Sequence, residues 1–173
     1  MELGAVICRP RKPLCNQCPV HQICRAFAQN LQQEFPVKKK KQKIPQYHIA
    51  VGVLRKGEKV LITRRAENGL LGGLWEFPGG KVRDGETAAE ACIREFKEEV
   101  NLAISIESYL TRVKHAYSHF RIVMDVFVCN YVSGRVKLKG VEDFRWITLN
   151  EINQFPFPKA NHKLLPWLRK FYE

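Results

Sequence analysis

Between Gly80 and Leu102 the chain reads GKVRDGETAAEACIREFKEEVNL. Its spacing is Gly80, five residues, Glu86, seven residues, then Arg94-Glu95-Phe96-Lys97-Glu98-Glu99. Glu95, Glu98 and Glu99 stand at i, i+3 and i+4, so a helix through them sets three carboxylates on one face. Like charges that close repel, and a divalent cation is the simplest compensation, because oxygen donors suit Mg²⁺ or Mn²⁺ and such an ion also grips phosphate oxygens. Gly79-Gly80 just upstream leave a bare backbone able to approach a bound phosphate. The plain alternative is a solvated acidic face with Arg94 paired to Glu98 at i+4.

The elements that must position these residues follow from periodicity and breakers. Thr87-x-x-Glu90 is a capping box that starts a helix running to Val100, with Ala89, Cys92, Ile93, Phe96 and Val100 as its apolar stripe. HIAVGVL and KVLITRR, joined by a KGE turn, predict a β-hairpin with one buried face. Further strands are expected at 103–113, 121–131 and 143–147, a short helix capped by Thr148-x-x-Glu151, and a last helix over 160–171. Together these predict an α/β/α sandwich with a mixed sheet, preceded by a short Cys-rich segment of helix and loop. Cys92 and Cys129 fall on apolar stripes and read as core.

The pattern from Gly80 onward resembles the Nudix box. That resemblance implies a loop and helix that bind divalent metal and promote attack of water on a phosphoryl group of a nucleoside diphosphate derivative. Position by position, Glu95, Glu98 and Glu99 match the metal-liganding glutamates, and Gly80 matches the residue whose carbonyl can join them. Arg94 would orient the glutamates, Glu86 would support the loop, and either Glu95 or Glu98 would deprotonate the water. Asn101 stands where the family pattern has Gly; Asn also tolerates the left-handed conformation that ends helices.

The surrounding stretch ITRRAENGLLGGLWEFPGGK, together with FPKAN near the end, is similar to the MutT-type 8-oxo-dGTP diphosphatases over about 120 residues. The match implies that Arg65 and Phe77 line a nucleotide pocket and that Asn161 reads the oxidised guanine. An amide offers a donor and an acceptor to a purine edge, and an aromatic ring covers its face. Asn161 could instead cap a helix before His162, and Phe77 could equally be core. Glu142, before the strand FRWIT, is a candidate extra metal ligand.

Cys8, Cys15, Cys18 and Cys24 are spaced C-x6-C-x2-C-x5-C, a set of thiolates that suits zinc or an iron–sulfur cluster. MELGAVIC followed by CNQCPVHQIC resembles the end of the helix-hairpin-helix domain of MutY adenine DNA glycosylases, where this pattern holds [4Fe-4S]. In those proteins a Nudix-like domain follows and recognises 8-oxoguanine in DNA opposite adenine. Tyr117-Ser118-His119 resembles the Phe-Ser-His loop that contacts the lesion there; as plain strand-edge residues they would need no such role. The glycosylase's catalytic helical domain would lie before Met1, so the chain is expected to be no complete glycosylase.

The chain of 173 residues is therefore divided into a Cys-rich motif over 1–30, a Lys-rich linker over 31–46 and a Nudix domain over 47–173. Its net charge is +12, and the first fifty residues hold nine Lys and Arg against two acids, which favours polyanions without specifying a site. PVKKKKQKIP, residues 36–45, sets two prolines around five lysines and reads as solvated linker that could also touch phosphates. No membrane-length apolar run or signal peptide is present, so a cytoplasmic protein with reduced cysteines is expected.

Two functions compete on these grounds. One is metal-dependent hydrolysis of 8-oxo-dGTP to 8-oxo-dGMP and pyrophosphate, which removes a mutagenic precursor before replication uses it. The other is a non-catalytic module of base excision repair that recognises 8-oxoguanine in DNA. A lesion reader needs none of Glu95, Glu98 and Glu99, so their joint presence favours catalysis. A Nudix hydrolase for another nucleotide is the third reading.

Overall fold

The computed structural model describes residues 2–35 and 44–172; the lysine run falls at 36–43, outside the described residues. Two compact units divide the chain, residues 1–43 and 44–173. The first consists of α1 (Leu3–Val6), two 3-10 turns (Cys15–Gln17 and His21–Ile23) and α2 (Arg25–Ala28). None of its described residues is buried.

In the second unit β1 (Gln46–Lys56) and β2 (Lys59–Arg65) form the predicted hairpin, turning through Gly57 at φ 61°. Two short strands, β3 (Trp75–Glu76) and β4 (Gly79–Lys81), flank Phe77-Pro78. Helix α3 (Ala88–Val100) follows, then the long strands β5 (Leu102–Ala116) and β6 (Arg121–Gly134), and β7 (Val141–Thr148). The order is β3-β2-β1-β6-β5, with β4 beside β1 and β7 beside β2. Only β1 and β6 run parallel among these pairs, so the sheet is mixed.

Alternation along β1 sends side chains to both layers. Ala50 and Leu54 pack with Ala91, Cys92, Phe96 and Val100 of α3. Val51 and Val53 pack toward Ile152, Phe157, Leu164 and Leu168 of the C-terminal segments. Gly52 is the seat of α3: a Cβ there would lie 2.8 Å from Cys92 Sγ and collide with the Phe96 ring. The result is an α/β/α sandwich.

Both predicted capping boxes form, at Thr87/Glu90 and at Thr148/Glu151, the second opening a 3-10 helix over Leu149–Gln154. Ile93, expected on the buried stripe, is instead exposed. The single C-terminal helix expected over 160–171 is two pieces, α4 (Lys159–His162) and α5 (Leu165–Tyr172). Pro166 has no N–H to continue α4 and suits the first turn of a new helix. Among the described residues no helix is long and apolar enough to cross a membrane.

Candidate active site

A cavity of about 610 Å³ opens on the sheet face that carries Ile49, Val51, Ile122 and Met124. That is ample for a nucleotide-sized ligand. Its wall includes Gly79, Gly80, Glu95 and Glu99 as well as Arg65, Phe77, Tyr117 and Asn161. Glu95 and Glu99 thus share one cavity with Arg65, Phe77 and Asn161, whereas Glu86 and Glu98 are not among its lining residues.

Arg94 organises the carboxylates. Its Nη1 donates to Glu95 Oε1 at 2.6 Å and to Glu98 Oε2 at 3.0 Å, while Nε and Nη2 hold the two oxygens of Glu86 at 3.0 and 2.6 Å. Nη2 also donates to the Lys81 carbonyl at 3.0 Å, tying α3 to β4. Glu86 in turn accepts the Arg83 N–H at 2.6 Å, which closes the loop before the helix. The hydrogen bonds from Arg94 hold the Glu86 carboxyl down to about 2. The expected Arg94–Glu98 pair is therefore present, but as one arm of a larger network. Glu98 is half-exposed and also pairs with Arg83 at 3.0 Å.

Glu99 is the most perturbed of the three. Burial first, and then the neighbouring charge of Glu76, push its carboxyl up to about 8, against the pull of the Gly79 N–H that it accepts at 3.3 Å. Backbone geometry is equally confined: a Cβ on Gly79 would collide with the Ala50 carbonyl, and one on Gly80 with the Glu95 carboxylate. Among the described residues no three His, Cys, Asp or Glu side chains converge at ligating distance. The donor set nevertheless fits a hard divalent cation, since crowded oxygens with unbalanced charge surround a glycine backbone.

Helix α3 ends in a left-handed cap. Asn101 adopts φ 57° and ψ 28°, the left-handed cap conformation, with its N–H on the Phe96 carbonyl. Its side-chain amide adds a bond to the Arg135 carbonyl at 3.3 Å.

Asn161 is buried, 6% exposed, within α4, whose cap is Pro158; it is not the helix cap. Phe77 is a core residue, 1% exposed and packed on Phe157, that reaches the cavity as part of its wall. Tyr117 stacks on Phe120 at 4.5 Å in the turn between β5 and β6, where Ser118 and His119 are exposed. Glu142 does not line the cavity; it accepts the Glu67 N–H at 3.0 Å and lies 3.9 Å from Arg64. Sequence reasoning passed over Glu76, Phe120 and Tyr47, all in the cavity wall. For Glu76 there was a signal, an acid wedged between Trp75 and Phe77 in an apolar stretch.

In the first unit, Cys8, Cys15, Cys18 and Cys24 all line a second cavity of about 530 Å³, with Ile7, Phe27 and Phe35. Thiols are soft donors, suited in kind to zinc or an iron–sulfur cluster, but among the described residues these too do not converge at ligating distance.

Residues 50–167 match the sequence family described as the NUDIX domain, and the chain belongs to that family. Its enzyme class is that of the Nudix hydrolases, and its homologues include 8-oxo-dGTP diphosphatases. Over 123 residues it is 31% identical to an 8-oxo-dGTP diphosphatase of Buchnera aphidicola, covering 71% of this chain and 93% of that protein. The Escherichia coli K12 8-oxo-dGTP diphosphatase is 30% identical over 123 residues, 70% of this chain and 95% of its own length. An adenine DNA glycosylase of Rattus norvegicus is 25% identical across 95% of this chain, which spans only 40% of that protein. The fold is similar to that of a MutT protein from Methanosarcina mazei, with a TM-score of 0.69 at 24% identity over 77% of this chain and 100% of that one.

Proposed function

We propose that the second unit hydrolyses 8-oxo-dGTP to 8-oxo-dGMP and pyrophosphate, clearing an oxidised precursor before DNA synthesis. The observation that carries this reading is the shared cavity, which Glu95, Glu99 and Gly80 line together with Asn161 and Tyr117. Similarity to two 8-oxo-dGTP diphosphatases over most of their length supports the choice of nucleotide.

Glu95, Glu98, Glu99 and the Gly80 carbonyl would hold Mg²⁺ or Mn²⁺. A divalent cation there lowers the pKa of a bound water and offsets charge on the phosphates. Arg94 keeps Glu95 and Glu98 in place through its Nη1, and Glu86 keeps Arg94 in place. Glu95 or Glu98 takes the water proton. The water oxygen bonds to phosphorus, the bridge between the α and β phosphates breaks, and the two products part. At the base, the Asn161 amide would offer a donor and an acceptor, with Tyr117 lining the same cavity. Arg65 contributes positive charge for the phosphates.

Incubation with 8-oxo-dGTP or dGTP in Mg²⁺ or Mn²⁺ tests this, read as monophosphate and pyrophosphate. Preferential turnover of 8-oxo-dGTP is expected, and no turnover overturns the reading. Glu98→Gln should abolish activity while leaving the fold intact, because the side chain is half-exposed and keeps its size.

A second reading draws on Tyr117 in the cavity wall, on exposed Ser118 and His119 that follow it, and on the glycosylase similarity: recognition of 8-oxoguanine in DNA, with Cys8, Cys15, Cys18 and Cys24 holding [4Fe-4S] in the first unit. Tighter binding to duplexes with 8-oxoguanine opposite adenine than to undamaged DNA at equal salt would support it, and equal affinities would remove it. A brown protein absorbing near 400 nm is the expected sign of the cluster; a colourless preparation containing zinc argues against it.

A further inference from the structure

Glu76 belongs to none of the roles above, yet it sits inside the cavity. Its side chain is 14% exposed, and both of its oxygens accept from one atom, Arg65 Nη1, at 2.7 and 2.6 Å. Arg65 Nε donates to the Leu70 carbonyl at 2.9 Å. Two of the three guanidinium nitrogens are thus committed, while Nη2 donates to no protein acceptor among the described residues. Both residues line the cavity along with Glu95 and Glu99.

The neighbours make this pairing consequential. The Glu95 charge acts on Glu76, and Glu99 feels both Glu76 and Arg65, so all four groups lie within electrostatic reach. A guanidinium loose in that space would be drawn to those same carboxylates and would neutralise the set that fits a cation. Glu76 supplies Arg65 with a dedicated partner on β3. A carboxylate whose two oxygens already share one N–H₂ group is also poorly placed to serve as a further metal ligand. The charges of Arg65 and Glu76 also reach Tyr117.

We infer that Glu76 is a positioning residue: it keeps Arg65 hydrogen-bonded to itself rather than to Glu95 or Glu99, so that Nη2 stays free to donate to a phosphate oxygen of the bound nucleotide. The inference rests on the proposed nucleotide site.

A double-mutant cycle tests it, with Glu76→Ala, Arg65→Ala and the two combined, reading KM and kcat for 8-oxo-dGTP and the Kd of 8-oxo-dGMP by calorimetry in Mg²⁺. Loss of a charged hydrogen bond should raise KM and Kd about tenfold or more in Arg65→Ala. Glu76→Ala should raise them by a comparable factor, and the double variant should match Arg65→Ala, because residues acting through one another are not additive. A merely structural role would lower kcat through the active fraction at constant KM. Glu76→Gln, which keeps the volume and one acceptor, should fall between wild type and Glu76→Ala, and it replaces Glu76→Ala in the cycle if that variant fails to fold. Multiplying losses, or unchanged KM and Kd in the Glu76 variants, overturn the inference. Wild-type protein that binds 8-oxo-dGMP but turns over nothing overturns the functional reading alone, and the cycle is then read on Kd; absence of binding overturns both.

Discussion

A Cβ on Gly80 would collide with the carboxyl carbon of Glu95 and lie 2.7 Å from its Oε2, so the β4 backbone and the α3 carboxylate are in direct contact. Gly80→Ala must push Glu95 away from its position on Arg94. The fold should survive, because the displaced group is the end of a side chain. Hydrolysis should fall about a hundredfold, the cost of misplacing a reacting group by an ångström. Normal turnover in Gly80→Ala would show that Glu95 is not needed where it stands.

Arg94 predicts a larger failure. Its removal leaves Glu86, Glu95 and Glu98 without their shared cation, with Glu95 and Glu86 largely buried. Arg94→Ala should cost about 1–3 kcal/mol of stability, measured by urea unfolding, as well as most of the activity. Arg94→Lys should not restore activity, since one ammonium cannot span three carboxylates from a planar fork. Rescue by lysine would mean that charge alone, and not geometry, is what Arg94 provides.

Asn101 is the residue at which the box departs from its pattern, and it already holds the conformation that glycine would adopt. Asn101→Gly should therefore leave kcat within about twofold and shift stability by only a few tenths of a kcal/mol, since glycine relieves the left-handed strain but loses the bond to Arg135. A marked rise in turnover would reveal that the native cap distorts the carboxylate face.

Local signals were readable in the chain because their partners are local. Thr87 with Glu90 and Thr148 with Glu151 are three residues apart, and both boxes form. The helix through Glu95, Glu98 and Glu99 follows from the same short range. Reading failed where distant partners decide the outcome. Glu142 looked free to join a metal, but the Glu67 N–H and Arg64 on the facing loop and strand engage it. Arg65 read as a nucleotide contact without Glu76, its partner eleven residues away across the β2–β3 turn. The C-terminal helix kept its apolar spacing through Pro166, so periodicity alone carried it across a break that the missing N–H imposes.

Asp125 is the clearest product of long-range assembly, and it predicts how stability responds to acid. It is 2% exposed on β6, and it accepts from Arg112 Nε at 2.7 Å and Nη2 at 2.8 Å, from His48 Nε2 at 2.7 Å and from the Tyr109 hydroxyl at 3.1 Å. Burial by itself would raise its carboxyl, but the bonds from Arg112, His48 and Tyr109 outweigh that and hold it at about 2, below the ordinary 3.8. The folded value is thus depressed relative to the unfolded one. Its stabilisation is full above pH 4 and is lost as pH falls from there toward 2, amounting to at most about 2 kcal/mol because half-exposed Arg112 and His48 are partly screened by water. Asp125→Asn should be less stable than wild type at pH 7, and the gap should narrow as both are unfolded in urea at pH 4, 3 and 2.5. A gap that stays constant over that range would mean that the Asp125 charge is not what joins β1, β5 and β6.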